Sequence, residues 1–97
     1  MLLVNMVKYQ CRLYVMDGRL LDLLETVIVT IDLPDEGVLA GDLGAIVEVY
    51  TSPKLAYEVE FVNPDGTTRA LLTLRPGDLR PLAATDVLTT RQVAFAD

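Results

Sequence analysis

Leu39-Ala-Gly-Asp-Leu-Gly-Ala-Ile-Val-Glu-Val-Tyr50 is the stretch on which the reading of this chain turns. Gly41 and Gly44 bracket a short polar turn, and an apolar run leaves it. Glycine enters positive φ without a Cβ penalty, so the pair predicts a tight, irregular entry into a strand. Within that strand Ile46, Val47, Val49 and Tyr50 surround the single charge of Glu48. Ile46 and Val49 break strict alternation, which predicts a strongly bent, bulged strand of the kind found at the corner of a small barrel.

The segments on either side carry the same signature. Glu25-Thr-Val-Ile-Val-Thr-Ile31 is β-branched almost throughout and prefers extended structure, with Val27, Val29 and Ile31 on the inward face. Leu20–Leu24 reads as its lead-in rather than as a helical turn. Pro34 and Gly37 make Asp32–Gly41 a loop. Thr51–Ala56 is a connecting turn, and Tyr57-Glu-Val-Glu-Phe-Val62 then alternates cleanly. Asn63-Pro-Asp-Gly66 is a hairpin signal, since proline presets φ and glycine takes the position that resists a side chain. In the return strand, Thr67 to Leu74, the residues Ala70, Leu72 and Leu74 face inward, and Arg69 is expected across from Glu58 or Glu60. Arg75-Pro-Gly-Asp-Leu79 reads as one 3₁₀ turn and Arg80-Pro-Leu82 as a short closing strand.

Short strands, close turn signals and no long amphipathic period make the chain all-β, a small SH3-like barrel of about five strands. Its expected core is Val27, Val29, Ile46, Val49, Val59, Phe61, Leu72 and Leu79. The chain divides into an N-terminal extension at 1–19, the barrel at 20–82 and a tail at 83–97. Tyr9, Cys11, Leu13 and Val15 alternate with Lys8, Gln10, Arg12 and Tyr14, the period of an extra half-buried strand that covers a barrel edge or pairs across a homodimer. The rival reading is an irregular extension ahead of a start at Met16. The N-terminus lacks the charge order of a secretory signal and is too short and polar to span a bilayer. The tail offers Thr85 or Asp86 as a cap, but Thr89 and Thr90 are poor helix formers, so a loose end or a strand used in self-association is expected.

Ninety-seven residues with 52% apolar content make one folded domain. The net charge of −6 is uneven. Lys8, Arg12 and Arg19 against Asp17 give +2 at the N-terminus, which leaves −8 for the remainder. An acidic body repels phosphate backbones and disfavours nucleic acid as a partner. The single cysteine, Cys11, cannot close an internal disulfide, which fits the reducing cytoplasm. With no histidine, the chain lacks the commonest general base and the commonest metal ligand. Cys11 has no visible base beside it and reads as a small apolar strand residue.

The residues left for function are acidic and aromatic. Asp32, Asp35 and Glu36 fall in one loop, Asp42 follows it and Asp65 marks the hairpin. Clustered oxygens suit calcium or magnesium, but the spacing matches no EF-hand loop, so a solvated acidic loop is the reading and no metal or cofactor is assigned. Tyr50 is a candidate aromatic anchor for a partner, and Tyr57 is either a second anchor or a core residue.

From Leu24 to Leu82 the chain resembles a bacterial family known as domain of unknown function 4926. The strings that carry the resemblance are Thr26-Val27, Thr30, Asp32-Leu-Pro34, Ala40-Gly-Asp42, Gly44, Val47-Glu-Val-Tyr50, Tyr57-Glu-Val-Glu-Phe61, Asp65-Gly66 and Leu79-Arg-Pro-Leu82. They cover about three-fifths of the chain and recur in order; residues 1–19 and the tail after Leu82 fall outside the pattern. A more distant similarity, Gly41 to Val49 as G-x-x-G-x-V-x-x-V, is to the KOW-type barrels of ribosome-associated proteins. The resemblance implies an SH3-like barrel and, because members often lie beside a toxin-like gene, an antitoxin- or immunity-like role.

Three functional classes compete. The favoured one is a non-enzymatic protein-binding module whose partner surface is drawn from Asp32, Asp35, Glu36, Asp42, Tyr50 and Asp65. The alternative is a KOW-like RNA- or ribosome-associated barrel, which needs a basic face, whereas Lys54, Arg69, Arg75, Arg80 and Arg91 are dispersed along the chain. An enzyme is the third, and the sequence offers it no catalytic constellation.

Overall fold

Extended segments alternate with tight turns along the chain, giving five antiparallel strands: β1 (Thr26–Val29), β2 (Leu43–Tyr50), β3 (Ala56–Val62), β4 (Thr68–Leu74) and β5 (Leu79–Pro81). The computed structural model describes residues 20–93. One 3₁₀ turn, Pro34–Glu36, lies between β1 and β2, and a second, Pro76–Asp78, precedes β5. The strands form a single open sheet in the order β4-β3-β2-β1-β5. This all-β arrangement is that of a small SH3-like barrel, a meander of three strands whose first strand also carries β1, with β5 returning to pair with β1. No helix among the described residues is long and apolar enough to cross a membrane. The strand expected at Tyr9–Val15, together with Cys11, lies outside the described residues.

Alternation explains which faces are covered. Val27 and Val29 of β1, Ile46 of β2 and Tyr57, Val59 and Phe61 of β3 all point inward and are buried. Ala70 and Leu74 of β4, Leu79 of β5, Val38 from the loop and Leu21 ahead of β1 complete the cluster, with Ile31, Leu33, Val49, Leu55 and Leu72 packed against it. The expected core therefore assembles as one cluster. Burial of such aliphatic and aromatic side chains contributes about 1.5–3 kcal/mol each, the main favourable term for so small a domain.

The bend in β2 has the cause its spacing suggests. Ile46 pairs with Val59 and Glu48 with Glu58, so Val47 is an extra residue that opposes nothing on β3. A second bulge occupies β4, where Phe61 pairs with Ala70 but Val62 pairs with Thr68, leaving Arg69 as the extra residue. Bulges sharpen twist and re-aim side chains. Arg69 is accordingly turned away from the carboxylates expected opposite it; Thr73 donates to Glu58 and Thr68 to Glu60 instead.

Two further expectations need correction, and the strand alternative for the tail falls away among the described residues. Leu20–Leu24 is not a strand lead-in: Leu23 and Leu24 form a turn in which Leu24 takes φ 67, and the Leu24 N–H donates to Ile46 O at 2.6 Å. Gly41 does enter positive φ, at 97, but Gly44 does not. Gly44 is required for space, because a Cβ there would sit 2.6 Å from Val59 Cγ1 and 2.9 Å from Phe61 Cε1. The tail, finally, forms no strand through residue 93 and is tied back to the barrel by ion pairs.

Turns close the barrel ends through side chains. The Asp78 carboxylate accepts from the Arg75 backbone N–H and its guanidinium, capping the second 3₁₀ turn. The Asp78 carbonyl accepts from Thr30 N–H at 2.9 Å, which anchors that turn to the end of β1. In the β3–β4 hairpin, Asp65 Oδ1 accepts from the Thr67 backbone N–H at 3.0 Å, the aspartate turn that its Asn-Pro-Asp-Gly sequence encodes.

Candidate functional site

One end of the barrel gathers most of the polar residues singled out above. The β1–β2 loop, the start of β2, the β3–β4 hairpin and residues 89–93 of the tail converge there. Two adjoining grooves result. The larger, with a volume of about 540 Å³, runs between Gly41–Leu43, Val62–Pro64 and Thr89–Arg91; the smaller, about 320 Å³, lies between Pro34, Gly37, Leu39 and Gln92. Arg69, Arg91 and Val93 line both.

Asp42 is the hub of this end. Its Oδ2 accepts from Leu39 N–H at 3.0 Å, which closes the turn leading into β2. Its two oxygens also receive the Arg91 guanidinium as a fork, Nε on Oδ1 at 2.8 Å and Nη2 on Oδ2 at 2.5 Å. Arg69 approaches the same carboxylate at 3.7 Å. Only 11% of the Asp42 side chain is exposed. Burial pushes its carboxyl upward, yet the bonds from Arg91 and Leu39 and the charges of Arg91 and Arg69 outweigh that and hold it below the usual carboxylate range. The Gly37 carbonyl joins the same network, accepting from Arg69 Nε and from Arg91 Nη2, each at 3.1 Å. Arg69 is held in addition by Val62 O at 2.9 Å.

The remaining candidates are distributed as follows. Asp32 Oδ1 accepts from Ala40 N–H at 2.8 Å and so braces the β1–β2 loop. Asp35 and Glu36 occupy the first 3₁₀ turn with their side chains in solvent. Asp65 sits at the hairpin tip, its carboxyl lowered by the Thr67 backbone and hydroxyl bonds. Tyr50 is exposed at the opposite end of β2, roughly 23 Å of strand away from Leu43 at ~3.3 Å per residue. Tyr57 is buried, and its hydroxyl accepts from Leu21 N–H at 3.1 Å, so it is a core residue and not an anchor for a partner. The structure thus brings Asp32, Asp35, Glu36, Asp42 and Asp65 to one end and leaves Tyr50 at the other.

Sequence reasoning misses the two arginines that organise this end. Carried on unbroken from the Phe61–Ala70 pair, the register would set Arg69 opposite Val62 and diagonal to Glu60, and the bulge takes it out of the ladder. Arg91 has one visible signal, its position as the single cation in the tail after Arg80.

All four arginines among the described residues meet an aspartate: Arg69 and Arg91 at Asp42, Arg75 at Asp78 and Arg80 at Asp86. The Arg80 fork and the Ala83 N–H draw the Asp86 carboxyl down to about 2. Among the described residues no cluster of three or more potential metal ligands forms.

The family model for the domain of unknown function DUF4926 matches residues 23–81. The chain belongs to the DUF4926 family. That match spans β1 through β5, so Asp42, Gly37 and Arg69 fall inside the DUF4926 region, and the tail that supplies Arg91 lies beyond it. No curated protein and no solved structure gives a significant match to the chain.

Proposed function

We propose that this DUF4926 protein is a cytoplasmic, non-enzymatic protein-binding module that acts as the antitoxin- or immunity-like partner of a neighbouring toxin-like protein. The observation that carries the reading is the disposition of charge. Each described arginine is taken up by an aspartate, while Asp35, Glu36 and Glu48 stand in solvent with no ion pair among the described residues. The outer surface therefore carries the excess negative charge, which steers a basic protein surface toward it and repels a phosphate backbone. An exposed acidic pair, Asp35 and Glu36, projects from the 3₁₀ turn beside the grooves and is the natural point of first encounter.

The test is co-purification of the chain with its neighbouring gene product, followed by association kinetics at rising salt. Association slows as salt rises, since the steering field is screened over about 8–10 Å at physiological ionic strength. Asp35→Lys combined with Glu36→Lys lowers the on-rate about tenfold and leaves the melting transition in place. Absence of affinity for the neighbouring protein, together with a salt-dependent shift of RNA, refutes this reading in favour of a KOW-like role.

A further inference from the structure

The ion pair between Arg91 and Asp42 differs in kind from those of Arg75 and Arg80. Arg75–Asp78 and Arg80–Asp86 join residues close in sequence, within a single turn or just beyond it. Arg91 reaches back across 49 positions from a segment without regular structure and seats its guanidinium on a carboxylate that the barrel has already placed. Asp42 is fixed by Leu39 N–H and largely buried, whereas 34% of the Arg91 side chain is exposed. The barrel supplies a complete acceptor set: two carboxylate oxygens in the plane of a fork, and the Gly37 carbonyl for a further N–H. Arg69 takes only part of that set: its Nε shares the Gly37 carbonyl at 3.1 Å and Val62 O holds it from the side, but it stands 3.7 Å from the carboxylate and leaves both carboxylate oxygens to Arg91.

We propose that Asp42 and the Gly37 carbonyl form a receptor for an arginine side chain on an extended protein segment, and that Arg91 occupies this receptor in cis. The proposal rests on the protein-binding reading above and gives the ligand its chemistry. Planar, bidentate recognition selects arginine over lysine, whose ammonium is a point donor and cannot span both carboxylate oxygens with the carbonyl. The groove flanking the receptor is apolar where a ligand backbone would run, with Leu43, Val62 and Pro64 along it, and Leu43 and Val62 are 40% and 51% exposed. Two further features distinguish the receptor from its occupant. The acceptor groups lie within the family-matched residues and the occupant lies outside them. The tail's tether also gives Arg91 a high effective concentration, so a partner displaces it only by adding contacts along the groove.

The probe is a synthetic peptide, Val-Leu-Thr-Thr-Arg-Gln-Val, which copies residues 87–93. It is titrated into full-length wild type and into full-length Arg91→Ala, with backbone amide shifts at Gly37, Leu39 and Asp42 as the readout. The R91A chain binds the peptide at least about tenfold more tightly than wild type, in which the receptor is filled. A peptide with lysine in place of its arginine loses that gain, and so does Asp42→Asn in the R91A background. If R91A does not retain a folded amide spectrum, Arg91→Gln carries the same comparison. Equal binding by wild type and R91A, no binding by either, or indifference to the lysine exchange overturns the proposal. A chain that captures its neighbouring protein but fails this titration loses the arginine receptor and keeps the binding role.

Discussion

Gly44 offers a stringent check on the packing between β2 and β3, because the same substitution at another glycine should act in the opposite direction. The Cβ introduced by Gly44→Ala would lie 2.6 Å from Val59 Cγ1, 2.9 Å from Phe61 Cε1 and 3.1 Å from Glu60 O. Val59 and Phe61 are fully buried, and Glu60 is paired with Ala45 in the ladder, so none of the three can retreat freely. Overpacking of this kind costs about 1–3 kcal/mol, against which the restricted unfolded chain returns about 0.4–1 kcal/mol. Gly44→Ala should therefore lower stability by roughly 0.5–2 kcal/mol, a large share of the ~5–15 kcal/mol available to a folded domain. At Gly77 a Cβ meets nothing within 4 Å and φ is not positive, so Gly77→Ala should raise stability by about 0.4–1 kcal/mol. Urea unfolding followed by circular dichroism gives both values from the midpoints. Val59→Ala provides the coupling: with Val59 Cγ1 gone, the cost of G44A should shrink by about 0.5 kcal/mol or more. A G44A chain as stable as wild type, or a G44A cost unchanged by V59A, would refute the close approach of β2 to β3 at this point.

Other consequences can be measured on the same chain. Phe61→Ala removes a fully buried ring and should cost about 3–5 kcal/mol, seen as loss of the cooperative transition at about 37 °C. Leu24 holds φ 67 with 77% of its surface in solvent, so Leu24→Gly should raise the urea midpoint by relieving about 1–2 kcal/mol of left-handed strain, less the extra freedom of glycine when unfolded. Acid should weaken the fold from below its ordinary carboxylate range. Asp42 and Asp86 have folded values under the unfolded 3.8, so their contribution is complete above that pH and is lost as pH falls below it, for Asp86 through about 2. Asp86→Asn should flatten the loss of urea midpoint between about pH 4 and 2, and an unchanged slope would contradict the Arg80 pairing.

Much of the fold is legible because strands write a period of two into the sequence. Tyr57, Val59 and Phe61 can be assigned to one face with no further information, and the Ile46–Val49 spacing already requires an extra residue, which is Val47 in its bulge. What cannot be read are effects that depend on where two distant segments meet. Gly44 carries a backbone signal in sequence, yet its cause is the side chains of Val59 and Phe61 across the ladder. Arg69 escapes because nothing local announces that β4 gains a residue opposite Phe61 and Val62. The acidic end is visible as Asp32, Asp35, Glu36, Asp42 and Asp65, but the distinction between a carboxylate in solvent, such as Asp35, and one already committed, such as Asp42, lies in contacts with residues far along the chain.

The strand order has a kinetic consequence. β2, β3 and β4 follow one another through short connections, so each pairing closes a small loop. β5 must instead find β1 from the far end of the chain, with Val29 opposite Leu79. Loop closure grows costlier with length, and non-local pairings set the pace of folding in small β domains. The meander is thus the inexpensive part of the structure to assemble, and the β1–β5 seam is the step that waits for it. The Arg91–Asp42 contact spans 49 positions and belongs to the same long-range, late-closing class as that seam.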